Sequence, residues 1–145
     1  MTFVREVLRG RTAPPTQVPS ETSVVDAAQR MTSLGIGSVL VVDDGALVGI
    51  FTERDVLRRV VAEVRDPATT RVRDVMTPMP LLTCTDDAKL DDCRQLMSAK
   101  RIRHLPVLHG AEIRGMLTSG DLLAWQLQDQ RATIEQLEGF VFDNR

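Results

Sequence analysis

One stretch of this chain occurs twice, and that repeat limits what the chain can fold into more than any other feature. Residues 35–55 (GIGSVLVVDDGALVGIFTERD) and 101–121 (RIRHLPVLHGAEIRGMLTSGD) share one order. Each runs as apolar strand, Gly-containing turn, second apolar strand, then Gly-x-x-Thr-x-x-Asp opening an amphipathic segment. Gly49 and Gly115, Thr52 and Thr118, and Asp55 and Asp121 all stand 66 residues apart. Upstream, Val4–Leu8 (VREVL) matches Val72–Met76 (VRDVM) at an offset of 68. Two copies are too few for a solenoid, which needs at least about three, so the pattern predicts one duplicated unit closing on itself. A half of about 65 residues buries little of its surface, and the two halves are expected to fold together.

Within the first copy, Ser23-x-x-Asp26 is a capping-box-like pair. Val24, Ala27, Ala28, Met31 and Leu34 follow at helical spacing, and Gly35 suits the residue past a helix end. Ser38–Val42 is a β-branched run suited to a strand buried on both faces. Asp43-Asp44-Gly45 turns the chain, and Leu47–Phe51 returns as the paired strand. A helix is expected over Glu53–Val64, with Val56, Leu57, Val60, Val61 and Val64 on one side and Arg54, Arg58, Arg59 and Glu63 largely on the other. The proline-rich stretch 10–19 reads as loop or extended chain, and 66–70 as the linker between copies. The second copy repeats the order: helix over Ala88–Ala99, strands over His104–Leu108 and Ile113–Leu117, and a helix from near Ser119. Pro106 offers no ladder donor, so its strand is expected at an edge or at a bulge. Downstream, Leu127, Ile134 and Val141 recur every seven residues with Leu137 between them, a short coiled-coil-like stripe facing either its own domain or a partner chain.

Composition narrows the function classes. The 145 residues are 43% apolar and 26% charged, ordinary for a globular protein. A formal net charge of −2 gives no electrostatic reason to expect nucleic acid; only the Lys100-Arg101-Arg103 cluster argues for it. No run approaches the roughly 18 apolar residues of a membrane span, and the N-terminus resembles neither a secretory signal nor a transit peptide. Cys84 and Cys93 suit no metal or redox spacing and are expected to be free thiols in a reducing compartment, the cytoplasm. His104 and His109 have no partner pattern suggesting acid–base work or a metal.

The duplicated Gly-x-x-Thr-x-x-Asp ends are the one constellation that suggests chemistry. A Thr at a helix N-cap with an Asp three residues on can simply satisfy free helix N–H groups. The same geometry suits a ligand: helix N–H groups and a Thr hydroxyl can meet a phosphate, and the Asp can accept two hydroxyls of a ribose. Both readings stand on the residues alone.

The motifs VRDVMT, RIRHLPV, GIFTERD and GMLTSGD, in this spacing, resemble a tandem pair of cystathionine-β-synthase (CBS) domains, a Bateman module, over roughly residues 2–125. The resemblance implies a mixed α+β fold: two βαββα units, over 1–66 and 67–125, packed about a pseudo-two-fold axis. A helical extension over 126–145 would follow. It further implies two clefts for adenosine-containing ligands, with Asp55 on the ribose of one and Asp121 on that of the other. Thr52 and Thr118 would lie near ribose or phosphate. For the Asp55 cleft the matching positions are Thr77, Leu82, Ile102, Arg103 and His104. For the Asp121 cleft they are Ile36, Gly37 and Ser38, with Arg103 within reach of phosphate. AMP, ADP, ATP, NAD(H) and S-adenosylmethionine all carry the adenosine handle. The expectation is a stand-alone sensor rather than an enzyme, without metal or catalytic cofactor, forming a homodimer and regulating a protein partner. The rival is a ligand-free dimerisation or interaction module with vestigial clefts. The clefts are expected to differ, because Gly35, Gly37 and Ser38 of copy one stand where copy two has Arg101, Arg103 and His104.

Overall fold

A computed structural model of the chain describes residues 1–11 and 14–143, with side chains described through residue 137. The hairpin turn of the first copy shows how sequence sets its geometry. Asp44 and Gly45, between the paired residues Asp43 and Ala46, both take positive φ (50° and 78°). Such a turn matches the twist of its strands and demands residues that tolerate that region. Strands β2 (Ser38–Asp43) and β3 (Ala46–Thr52) run antiparallel from it. Helix α2 (Val24–Leu34) is capped by the Ser23 hydroxyl, which accepts from Asp26 N at 3.2 Å, and ends at Gly35 with φ 65°. It carries the chain from β1 (Gln17–Val18) to β2, which pair in parallel.

Copy two repeats this with β5 (Cys84–Thr85), α5 (Leu90–Lys100), β6 (His104–His109) and β7 (Glu112–Thr118). Both hairpins shift register at equivalent places, Val41/Val42 and Val107/Leu108. The long helix α6 (Ser119–Asp143) follows. With β4 at Thr77–Pro78, the sheets have the orders β1-β2-β3-β4 and β5-β6-β7.

The repeat does not close each copy on itself. Helix α1 (Val4–Leu8) buries Val4 in the core of copy two, with Leu105, Val107 and Leu117. Helix α4 (Val72–Val75) buries Val72 and Val75 in the core of copy one, with Val39, Val41 and Phe51. Backbone bonds fix both exchanges: Val4 N donates to Ala88 O (2.9 Å), and Val72 N to Thr22 O (2.8 Å). Burying a valine fully is favourable by about 1.5–3 kcal/mol, so each lead-in helix ties the opposite half into one folding unit. Cys84 and Cys93 lie free in the second core; burial, then the adjoining Cys93 and Asp86, push the Cys84 thiol up to about 12.

One expectation is corrected. The helix over Glu53–Val64 is a single α-turn, α3 (Glu53–Asp55), that widens into a π-helical segment, Val56–Val61. There Ala62 N donates to Leu57 O, five residues back. The wider pitch keeps Val60 in the core and leaves Leu57, Val61 and Val64 exposed, so the apolar face drawn at 3.6 residues per turn does not form. The strand of Pro106 bears the expected bulge: it is the central strand of its sheet, and its register shifts one residue past the proline. Its counterpart Leu40 donates to Thr16 O on the β1 side, whereas β5 reaches only Val107 and Leu108. The proline thus sits where no ladder partner needs its missing donor. In the α6 stripe, Leu127, Ile134 and Leu137 are exposed, and the side chain of Val141 lies outside the described residues. Among the described residues, no helix is long and apolar enough to cross a membrane.

Candidate functional site

Strand β3 ends at Thr52, whose extended backbone (φ −123°, ψ 165°) aims its side chain at the first turn of α3. Thr52 Oγ1 accepts from Asp55 N at 3.2 Å, and the Asp55 carboxylate accepts in return from Thr52 N (3.0 Å) and Thr52 Oγ1 (3.2 Å). The motif is thus a complete capping box before any ligand is considered. A third donor comes from the other copy's lead-in, because β4 (Thr77–Pro78) pairs with Gly49 and Ile50. A Cβ on Gly49 would stand 2.6 Å from Thr77 O, so only glycine lets β4 come this close. Thr77 Oγ1 then donates to Asp55 Oδ1 at 3.2 Å, and Arg59 Nε lies 3.8 Å from the same oxygen. Asp55 is only 5% exposed.

Asp55 and Thr52 open onto a cavity of about 540 Å³ between the two copies. Copy one contributes Gly37, Ile50, Glu53, Arg54, Leu57 and Arg58. Thr77, Leu82, Ile102, Arg103, His104 and Pro106 come from the second half. The wall is apolar over Ile50, Leu82, Ile102 and Pro106, while Arg54, Arg58 and Arg103 outnumber Glu53 and Asp55. Arg54 also spans the copies, donating to Arg101 O at 2.8 Å. Burial holds His104 below its ordinary value, Glu53 opposing and Arg103 and Arg54 reinforcing, so its imidazole is neutral at pH 7. At Gly37 a Cβ would lie 3.2 Å from His104 Nε2, so the two strand entrances meet at this point.

The sequence-predicted residues divide unevenly. Thr52, Asp55, Thr77, Leu82, Ile102, Arg103 and His104 all line the one cavity. Thr118 and Asp121 form the second box: Asp121 N donates to Thr118 Oγ1 (3.1 Å), and Thr118 N to Asp121 Oδ2 (2.9 Å). The structure does not gather the rest of the second set there. Gly37 and Arg103 line the first cavity, Ser38 is buried, and Ile36 packs against the first core. Beside Asp121 lies a hollow of about 120 Å³ lined by Leu8, Arg11, Pro15, Arg114, Gly115 and Met116. Sequence reasoning missed Arg58 and Arg11. Arg58 follows Arg54 by one helical turn and was readable; Arg11 comes from outside both motifs. Among the described residues no group of three His, Cys, Asp or Glu could hold a metal.

The CBS domain family matches this chain twice, over residues 4–62 and 72–128. The CBS domain-containing protein CBSX3, mitochondrial, of Arabidopsis thaliana is 35% identical over 126 residues, 84% of this chain. The match spans 61% of that protein's length. A protein with CBS domains from Burkholderia ambifaria MC40-6 superposes with a TM-score of 0.83 at 36% identity, covering 89% of this chain and 96% of that one. The CBS domain pair of protein MJ0100, solved with 5′-methylthioadenosine and S-adenosyl-L-methionine, superposes at 0.78 with 26% identity, covering 89% and 98%.

Proposed function

The chain belongs to the CBS-domain family, carrying two CBS domains in tandem, and on that premise we propose that it is a sensor of an adenosine-bearing small molecule bound beside Asp55. The observation that carries the reading is the cavity of about 540 Å³ between the copies, within the range of small-molecule sites. Its apolar wall of Leu82, Ile102 and Pro106 suits a flat base. Asp55, whose Oδ1 accepts from Thr77, keeps acceptor capacity for a ribose hydroxyl. Arg54, Arg58 and Arg103 suit phosphate oxygens. The excess of guanidinium groups favours AMP, ADP, ATP or NADH over the cationic S-adenosylmethionine, although the MJ0100 pair holds the latter. Because the ligand would touch both copies, it would bias their packing by its differential affinity for two arrangements. A protein partner, in a reducing compartment such as the cytoplasm, would read that bias without turnover of the ligand.

A second reading has its own support. Both boxes are satisfied by the chain's own groups, and apolar side chains stand exposed on the π-helical segment and α6. A module that only docks to another chain would look the same. A thermal-shift panel of AMP, ADP, ATP, NADH and S-adenosylmethionine, with GTP as control, separates the two. A ligand at 100 times its Kd adds about 2.7 kcal/mol, a shift of several degrees at this size. The sensor reading expects one adenosine ligand to give that shift and Asp55→Asn to abolish it. No shift in nucleotide-stripped protein leaves the docking module.

A further inference from the structure

The two clefts differ because the chain fills one of them itself. Arg11 Nη2 lies 2.5 Å from Asp121 Oδ1, and Nη1 donates to Met116 O at 3.0 Å. The carboxylate oxygen not held by the capping box is thereby occupied by a guanidinium. In the first copy's site the matching oxygen of Asp55 meets, among the described residues, only the Thr77 hydroxyl and a more distant Arg59.

The difference is built into the backbone of the two lead-ins. Arg9 has φ −61° and ψ 133°, Gly10 has φ 87°, and Arg11 N donates to Leu8 O at 3.2 Å. These are the angles and the bond of a type II turn, which needs a residue tolerant of positive φ at Gly10. At an offset of 68 the second lead-in has Pro78 in place of Gly10 and Met79 in place of Arg11. Proline cannot adopt positive φ, so that segment stays extended and pairs as β4 with Gly49 and Ile50. The glycine turn instead swings Arg11 over β7 to Asp121, and Leu8 settles against Gly115, where a Cβ would stand 2.9 Å from Leu8 Cδ1. What remains is the hollow of about 120 Å³, against about 540 Å³ on the other side.

We propose that Arg11 is a built-in occupant of the Asp121 cleft and that it sets the ligand number at one per chain. The inference rests on the adenosine-binding reading of these clefts. A ribose approaching Asp121 meets a carboxylate already paired with a guanidinium, and must displace both that pair and the turn behind it.

Isothermal titration with AMP, ATP and S-adenosylmethionine, each alone, tests this on four proteins. They are wild type, Arg11→Met, Gly10→Pro, and Arg11→Met combined with Asp121→Asn. Arg11→Met installs the residue the second copy already carries at this point, and Gly10→Pro removes the turn while leaving Arg11 in place. The expected result is one equivalent for wild type, two for Arg11→Met and for Gly10→Pro, and one again for the combined variant. Two equivalents for wild type, or one for both opened variants, overturns the plug while leaving ligand binding at Asp55 intact. No binding by wild type with one equivalent for Arg11→Met, lost in the combined variant, supports the plug and removes the Asp55 reading. No binding by any of the four overturns both.

Discussion

Thr77 donates a hydrogen bond to the carboxylate of Asp55, 3.2 Å from Oδ1, although 22 residues and the whole linker separate them. The bond exists because the second copy's lead-in crosses to pair with β3 of the first. It joins the capping box beside the cavity to the segment that ties the halves together.

This coupling is measurable by a double-mutant cycle. Removing one partner of a buried hydrogen bond costs about 1–3 kcal/mol. Asp55→Ala is expected at the upper end, since it strips the box as well, and Thr77→Val at the lower. In urea unfolding the two costs are expected to be non-additive by at least about 0.5 kcal/mol. Simple additivity would mean that the contact contributes nothing to stability.

Gly49 and Gly115 are repeat-equivalent but should respond differently to alanine. At Gly49 the added Cβ meets Thr77 O at 2.6 Å, a backbone atom fixed in the sheet. At Gly115 it meets the end of the Leu8 side chain at 2.9 Å, which can rotate away. Overpacking against a fixed neighbour costs about 1–3 kcal/mol, so Gly49→Ala is expected to lower Tm by more than Gly115→Ala. Equal losses would show that β4 yields as easily as a side chain.

Most of the fold was legible because the repeat carries it: the caps, both hairpins and the Thr–Asp boxes are local and periodic. The Asp55 set came together for the same reason, each position being fixed by its place in a copy. What sequence could not deliver was decided by alternatives close in energy. Whether Val56–Val61 winds as α- or π-helix turns on one shifted carbonyl per turn, which apolar periodicity does not resolve. The turn that brings Arg11 to Asp121 rests on Gly10, where the second lead-in has Pro78, and the composition of that stretch reads only as loop. Arg103 suits either cleft by its repeat position, and its place in the first cavity depends on how the strand entrances meet at Gly37 and His104.

His104 gives the protein a pH dependence whose sign is fixed. Burial holds it below its ordinary value of 6.5, with Glu53 opposing and Arg103 and Arg54 adding to the depression. The unfolded chain therefore takes up the proton first as pH falls, and stability is full above about 6.5 and declines below it. Tm is expected to drop between pH 7.5 and pH 5 by more in wild type than in His104→Gln. An identical drop in both would exclude His104 as the source, and an NMR titration of its ring would show directly whether its value lies below 6.5.

The last prediction concerns two stripes related by the repeat. Leu57 and Leu123, and Val61 and Leu127, each stand 66 residues apart, and they are 63%, 59%, 62% and 48% exposed. Large apolar side chains left outside at repeat-equivalent positions are candidates for a contact surface. The pseudo-symmetry of the chain presents it twice, which suits a two-fold pairing in which the same patch meets itself. Sedimentation equilibrium is expected to give a dimer for wild type and a monomer for Val61→Glu combined with Leu127→Glu. Because these residues are exposed, the substitutions should leave the far-UV circular dichroism unchanged. A dimer that survives both charges would place the contact elsewhere, and a wild-type monomer would leave the stripes free for a partner of another sequence.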